Sequence, residues 1–422
     1  MDPSPLEPFS APVRAWFESS FPEPTAAQSG AWAPIARGEH TLLCAPTGSG
    51  KTLAAFLWAI DRLGTTPATG PGVRVVYVSP LRALAVDIEK NLRSPLRGIA
   101  LAAERLGSPF VEPTVGVRTG DTSATERRAL VRTPPDVLIT TPESLYLMLT
   151  SAARETLLGV QSVIVDEIHA LAPTKRGAHL ALTMERLEHL LRSRSDDPVP
   201  RTFQRIGLSA TQRPLEVVAD FLGGATPTGP SSTRARPVTI VDAGMRKELD
   251  ISVVVPVDDM GALGQPLPAP PVEDAGALPL RGPQRASIWP SMHPELLALV
   301  ESHRSTLVFV NARRLAERLA SRLNELALEQ REEGDVEPRY AAAEAVGTSA
   351  AEGEELVKAH HGSLSRERRL LIEDELKRGD LRGLVATSSL ELGIDMGAVD
   401  LVVQVESPGA VSRGLQLSLI HI

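Results

Sequence analysis

The 422-residue sequence contains one cysteine, Cys44. An internal disulfide framework is therefore excluded, which suits a reducing compartment and points to the cytoplasm. Cys44 precedes a glycine-rich loop on an apolar stretch and reads as a small core residue. Aromatic residues make up only 4% of the chain, too few for an extended base-stacking platform. No apolar run approaches the roughly 18 residues of a membrane-spanning helix. Met1-Asp2-Pro3-Ser4-Pro5 lacks the basic segment and apolar core of a signal peptide, so no membrane partner is expected. Lysine is also scarce: six of the 44 basic residues, the other 38 being arginine. Arginine forks suit phosphate recognition, although the abundance of Ala and Pro makes a GC-rich coding sequence the simpler source of the bias. The net charge of −8 argues against binding nucleic acid by bulk charge. A narrow groove of backbone amides and hydroxyls with a few cations stays open. No Cys/His cluster has zinc spacing, and His360-His361 reads as a strand-end pair.

Against these absences stands the run Ala45-Pro46-Thr47-Gly48-Ser49-Gly50-Lys51-Thr52. An apolar run, Thr41 to Cys44, reads as a buried strand before it, and Leu53 to Leu63 reads as a helix after it. Glycines let the backbone approach phosphates, and the loop N–H groups point inward at the anion. Lys51 can reach the β/γ-phosphates and the Thr52 hydroxyl can ligate Mg²⁺. Ala45 replaces the Gly that opens the strict pattern.

Val163-Ile164-Val165-Asp166-Glu167-Ile168-His169 supplies a second half. A β-branched run ends in two adjacent carboxylates, at the strand end where an α/β sheet places its site. Alone, such a pair is usually a solvated turn. With the phosphate loop upstream, Asp166 is expected to hold Mg²⁺ and Glu167 to polarise the water attacking the γ-phosphate. His169 is expected to report nucleotide state to its neighbours.

These motifs, with others in order, resemble superfamily 2 DExH-box nucleic-acid helicases. Thr25-Ala26-Ala27-Gln28 is similar to the adenine-reading motif, with Gln28 on the base edge. Ser79-Pro80-Leu81-Arg82-Ala83-Leu84 and Thr141-Pro142-Glu143-Ser144-Leu145 resemble strand-gripping motifs. Ser209-Ala210-Thr211 resembles the coupling motif. Leu307-Val308-Phe309-Val310-Asn311, His361-Gly362-Ser363-Leu364-Ser365 and Ala386-Thr387-Ser388-Ser389-Leu390-Glu391-Leu392-Gly393-Ile394-Asp395 resemble motifs of the second motor domain. The wording of Val117-Arg118-Thr119-Gly120-Asp121-Thr122, Thr140 to Tyr146 and His360 to Ser365 narrows the resemblance to the large helicase-related (Lhr) family. It covers roughly residues 10 to 416.

The resemblance implies ATP and Mg²⁺ as cofactors. It places Gln28, Thr47, Gly48, Ser49, Gly50, Lys51, Thr52, Gly393 and Asp395 on ATP, with Lys51, Asp166 and Glu167 catalytic. Thr52 and Asp166 would ligate the metal. His169, Ser209 and Thr211 would couple that site to a nucleic-acid strand held near Arg82, Thr141, Pro142, Thr387 and Ser388. Two domains would close on ATP and open after hydrolysis, each gripping the strand separately. The implied activity is 3′-to-5′ translocation on single-stranded DNA and unwinding of DNA or RNA–DNA duplexes, in DNA repair. An RNA remodelling helicase is the alternative. In the family an arginine-bearing motif, Gln-x-x-Gly-Arg-x-Gly, follows Gln416; here Leu417 to Ile422 follows instead. Those arginines stabilise transition-state charge. A nucleotide-binding fragment with little hydrolysis is therefore a further expectation for these residues.

The expected fold class is α/β: two tandem RecA-like domains with mostly parallel sheets flanked by helices. Continuous apolar strands, Val73 to Val78, Val137 to Thr140 and Arg205 to Ser209, alternate with helical stretches at Ala83 to Leu92, Ser144 to Ser151 and Leu180 to Leu191. This assigns residues 1–225 to a first ATP-binding domain. Residues 226–290 read as a Pro/Gly-rich linker with candidate strands at Pro237 to Val241 and Leu249 to Val255. Residues 291–416 read as a second, incomplete domain, with strands at Thr306 to Val310, Leu384 to Thr387 and Val399 to Val403. Its helices are expected at Ala312 to Leu328 and Arg366 to Lys377, with a surface insertion from Gly334 to Glu355. Residues 417–422 form an atypical tail.

Overall fold

The computed structural model describes residues 4–46, 48–66, 70, 72–194, 201–210, 214–229, 232–244, 250–257, 287–334, 355–387, 399–408 and 414. The chain divides into two compact units, Met1–Arg246 and Lys247–Ile422.

In the first unit, helices α1 (Ala11–Ser20) and α2 (Ala26–Ala36) precede strand β1 (Thr41–Cys44). Then come α3 (Lys51–Thr65), β2 (Val75–Val78), α4 (Arg82–Leu106), β3 (Val115–Arg118), α5 (Ala124–Arg132), β4 (Val137–Thr140) and α6 (Pro142–Leu149). The unit continues through β5 (Ser162–Val165), α7 (Ile168–Leu171), α8 (Lys175–Ser193), β6 (Gln204–Ser209) and α9 (Leu215–Gly223). It closes with β7 (Ala225–Gly229), β8 (Ser232–Ala235) and β9 (Thr239–Asp242).

Seven of these strands form one parallel sheet, ordered β3-β4-β2-β5-β6-β1-β9. Alternate residues of each strand face opposite layers. Leu43, Val75, Tyr77, Ile139, Ile164 and Leu208 pack with α1 to α4 on one side. Leu42, Val76, Val78, Leu138, Val163 and Val165 pack with α6, α8 and α9 on the other. Burial on both faces explains why these strands are continuous apolar runs. Leu180, Met184, Leu187 and Leu191 on α8 recur at helical spacing and are buried, so that stripe is what docks the helix.

The second unit repeats the scheme with α10 (Trp289–Ser302), β10 (Thr306–Phe309), α11 (Arg313–Gly334), β11 (Val357–His360), α12 (Arg366–Arg378), β12 (Gly383–Ala386) and β13 (Leu401–Gln404). Its sheet is also parallel, ordered β11-β12-β10-β13. Val308 and Val385 face α10 and α11, while Leu307 and Leu384 face α12. The α/β expectation of mostly parallel sheets flanked by helices holds in both units.

Three features depart from the sequence reading, and one candidate strand finds its sheet. The helix expected at Ala83 to Leu92 runs on to Leu106 through Pro95, because Leu96 and Ile99 continue its buried stripe. The candidate strand at Pro237 to Val241 is β9, which pairs in parallel with β1 and extends the first sheet. The candidate strand at Leu249 to Val255 is not one: no strand lies within residues 250–257, and Val253 is 91% exposed. Alternation alone does not supply a partner strand. A hairpin of β7 and β8, unsignalled because Pro227 lies within it, occupies part of the expected linker. The insertion from Gly334 to Glu355 and the 417–422 tail fall almost wholly outside the described residues. Among the described residues no helix is long and apolar enough to cross a membrane.

Candidate functional site

The sheet order places the carboxyl ends of β5, β6 and β1 side by side, and the predicted site residues of the first unit follow those ends. Ala45, next after β1, donates its N–H to Ser209 O at the end of β6 (3.1 Å), which joins the phosphate loop to the coupling motif. Gly50 caps α3 at φ +78°, a conformation L side chains rarely adopt. A Cβ there would also lie 2.6 Å from Gln28 Nε2. Lys51 opens α3; its buried ammonium donates to Ala45 O (2.6 Å) across the loop. Ser49 Oγ donates to Pro46 O (2.7 Å), and Thr25 Oγ1 donates to Ser49 O (2.8 Å). Gly48 and Thr52 lie in the same loop and first helical turn, with Thr52 half-buried. Thr47 lies outside the described residues.

Gln28 is at the third position of α2, where it forms a reciprocal capping box with Thr25: Thr25 N–H donates to Gln28 Oε1 (3.0 Å) and Gln28 N–H to Thr25 Oγ1 (3.3 Å). The cap fixes the side chain against the phosphate loop.

Asp166 and Glu167 directly follow β5. Asp166 Oδ2 accepts from the Tyr77 hydroxyl (2.5 Å) and Oδ1 from the Glu167 N–H (2.9 Å). Glu167 adopts a left-handed backbone at φ 44°, ψ 42° and caps α7. That strain turns the chain sharply, so both carboxyl groups stay at the strand end. Burial, then the neighbouring Glu167 carboxylate, pushes Asp166 up to about 6, against the pull of Tyr77 and Lys51. Burial raises Glu167 too, with Lys51 opposing. One buried ammonium thus faces two buried carboxyl groups.

His169, on α7, connects this pair to the coupling motif. Its Nδ1 accepts the Ala210 N–H (3.2 Å), with Ser209 Oγ at 3.4 Å. In the neutral ring this places the proton on Nε2, which lies 3.3 Å from Glu167 Oε2. The principal link is therefore a backbone N–H that side-chain reading does not see; the Ser209 hydroxyl itself donates to Ala210 O (2.9 Å). Thr211 lies outside the described residues.

The expected gripping residues sit at neighbouring strand ends. Arg82 opens α4 after β2, while Thr141 and Pro142 are the cap and first residue of α6 after β4. Of the second-unit residues, Thr387 follows β12, its N–H donating to His360 O (3.2 Å). Ser388, Gly393 and Asp395 lie outside the described residues.

Tyr77, at the site, and Arg176, outside it, carry no sequence signal. Tyr77 reads as one more apolar strand residue; it stacks on Phe56 (centroids 4.9 Å) and reaches Asp166 only because β2 and β5 are neighbours. Arg176 lies beyond every motif and bridges two of them.

A family profile for DEAD/DEAH box helicases matches residues 25–219, and one for the helicase conserved C-terminal domain matches residues 291–418. The chain is 54% identical over 426 residues to an Lhr helicase and probable uracil glycosylase of Mycolicibacterium smegmatis, covering 98% of this chain. It is 48% identical over 433 residues to the Lhr helicase/uracil glycosylase of Escherichia coli, again covering 98% of this chain. The structure of Mycobacterium smegmatis helicase Lhr bound to ssDNA and AMP-PNP superposes with a TM-score of 0.74, over 98% of this chain and 46% of that one. This chain belongs to the Lhr helicase family. It spans 25% of the Mycolicibacterium relative's length and 26% of the Escherichia relative's. In this Lhr-family chain, the phosphate loop and the Asp166–His169 box both fall within the DEAD/DEAH match.

Proposed function

We propose that the chain is the motor core of an ATP-dependent nucleic-acid translocase and helicase. It moves 3′ to 5′ on single-stranded DNA and opens DNA or RNA–DNA duplexes, acting in the cytoplasm in DNA repair. Residues 1–225 and 291–416 form its two motor domains, with β9 of the intervening stretch completing the first domain's sheet. The observation that carries the reading is the buried triad of Lys51, Asp166 and Glu167, tied through His169 Nδ1 to the Ala210 N–H at 3.2 Å. The nucleotide analogue and single strand bound by the Mycobacterium relative support both ligands here.

ATP phosphates would replace Ala45 O as the partner of Lys51. Mg²⁺ fits the site, since two buried carboxyl groups with raised pKa values face a single ammonium. Thr52 and Asp166 would hold it, phosphate oxygens and water completing the shell, and it would neutralise charge building on the phosphates. Glu167, poised by burial to take a proton, would orient the attacking water. The His169 Nε2–H would hold Glu167 and pass its displacement to Ala210 and the strand-gripping loops. Gln28 would read the adenine edge, and Gly393 and Asp395 would complete the ATP contacts.

The test is the ATPase rate with and without single-stranded DNA, at low salt with Mg²⁺. Lys51→Ala is expected to lower stimulated turnover at least about 100-fold while leaving strand binding intact. Turnover that persists in Lys51→Ala overturns the assignment. Stimulation by RNA in preference to matched DNA replaces the DNA reading with RNA remodelling.

A further inference from the structure

Two loops read as strand grips, the one after β2 and the start of α6, are joined by a side chain that belongs to neither. Arg176 Nε donates to Glu143 Oε1 (2.6 Å) and its Nη2 to Glu143 Oε2 (3.2 Å). The same Nη2 donates to Pro80 O (3.0 Å). Glu143 is in the first turn of α6, two residues past Thr141, and Pro80 is two residues before Arg82. A half-exposed ion pair contributes little to stability. A forked arginine that also takes a backbone carbonyl instead fixes geometry, because its planar donors admit one arrangement of three segments.

What holds Arg176 makes the arrangement informative. It sits in the first turn of α8, seven residues past His169, and α7 and α8 are locked together. Thr174 Oγ1 donates to Leu171 O (2.7 Å) and accepts the Gly177 N–H (3.1 Å). A Cβ on Gly177 would lie 2.1 Å from Leu171 O, so the end of α7 touches the α8 backbone. Along its length α8 grips α6, with Tyr146 edge-on to His179 at 4.7 Å and Arg186 over the Tyr146 ring at 5.3 Å. Farther along, Glu188 binds Arg205 at 2.6 Å within the core. A continuous line of contacts thus runs from α7 through the start of α8 to Arg176 and on to both loops.

We propose that Arg176 is a positioning residue: it sets the spacing of the Pro80–Arg82 and Thr141–Glu143 grips and transmits movement of α7 to them, without touching nucleotide. The inference rests on the strand-binding motor reading. Its discriminating readout is the split between basal and strand-stimulated hydrolysis, which a merely stabilising ion pair would leave unmoved.

The full chain and its Arg176→Ala, Arg176→Lys and Glu143→Gln variants would be compared for AMP-PNP affinity, oligo-dT affinity at fixed salt, and ATPase rate at zero and saturating oligo-dT. Arg176→Ala is expected to keep AMP-PNP affinity, basal ATPase and thermal midpoint (within about 2 °C). It is expected to weaken oligo-dT binding about tenfold and to cut stimulation at saturation about tenfold. Arg176→Lys should not rescue, since an ammonium cannot form the fork, and Glu143→Gln should fall between. Unchanged strand affinity and stimulation in Arg176→Ala overturns the proposal while leaving the motor reading intact. Loss of nucleotide and strand binding together in the folded Glu143→Gln variant also overturns it, since that marks a general scaffold. A parent chain that binds no oligo-dT overturns the motor reading itself.

Discussion

Asp166 has both carboxyl oxygens bonded inside the protein, to the Tyr77 hydroxyl and the Glu167 N–H, and burial still pushes it up to about 6. A carboxyl group raised on folding binds more protons folded than unfolded. Its contribution to stability is therefore fully present below its unfolded pKa and is lost as pH rises through the folded value. At neutral pH without Mg²⁺ the ionised pair opposes folding. Asp166→Asn should raise the thermal midpoint at pH 7.5 in chelator, and the gain should shrink toward pH 5. Calorimetry across that range checks the sign, and a variant less stable than the parent at pH 7.5 contradicts it. The same substitution should abolish ATP turnover, so stability and activity separate at one side chain.

Helix α8 carries charge into the core at the other end of the sheet. Arg205 and Glu188 have side chains only 1% and 4% exposed and pair at 2.6 Å; Arg236 joins at 3.1 Å. Arg205 also donates to Gly223 O (2.9 Å) and Arg236 to the same oxygen (2.8 Å), which ties β6, α9 and the segment before β9 to α8. Removing one partner of such a cluster leaves uncompensated buried charge. Glu188→Ala is expected to cost about 3–5 kcal/mol in urea unfolding. ATP affinity should be unchanged, because Arg205 is at the amino end of β6 and the phosphate loop at the carboxyl ends. Glu185 on α8 also pairs with Arg236 (2.7 Å) and Arg205 (3.0 Å), and a cost below about 1 kcal/mol would show that it compensates alone. Nearby, His40 Nδ1 accepts the Arg205 N–H (3.1 Å), and burial and the two arginines hold its pKa below the usual value.

Over the whole molecule the charge is −8, so the strand binding proposed above would come from local contacts rather than from net positive charge. A single strand held by about three to five phosphate contacts gives a slope of log affinity on log salt of roughly −2 to −3.5. Titration of oligo-dT between low and physiological salt measures it directly. A slope steeper than about −6 would indicate broad charge neutralisation and contradict a groove built on helix starts and hydroxyls.

The site residues proposed from order alone are those positioned by their neighbours in the chain. The phosphate loop, the Asp166–Glu167 strand end and Ser209 announce themselves because a strand, a turn and a helix start are each set by neighbours in the chain. The apolar runs gave the parallel sheets for the same reason, since a strand buried on both faces has no polar alternation to hide it. Tyr77 on Asp166, Arg176 on Pro80, and Arg205 and Arg236 on Glu188 had no such signal. Each depends on which strands and helices become neighbours, and partners 89 and 96 residues apart are chosen by sheet order. The described part of the next candidate strand, Asp250 to Val255, makes the same point in reverse, because strand-forming residues without an adjoining strand stay exposed. Local chemistry in the sequence determined what this protein carries; the order of strands in the folded sheet decided which of those groups meet.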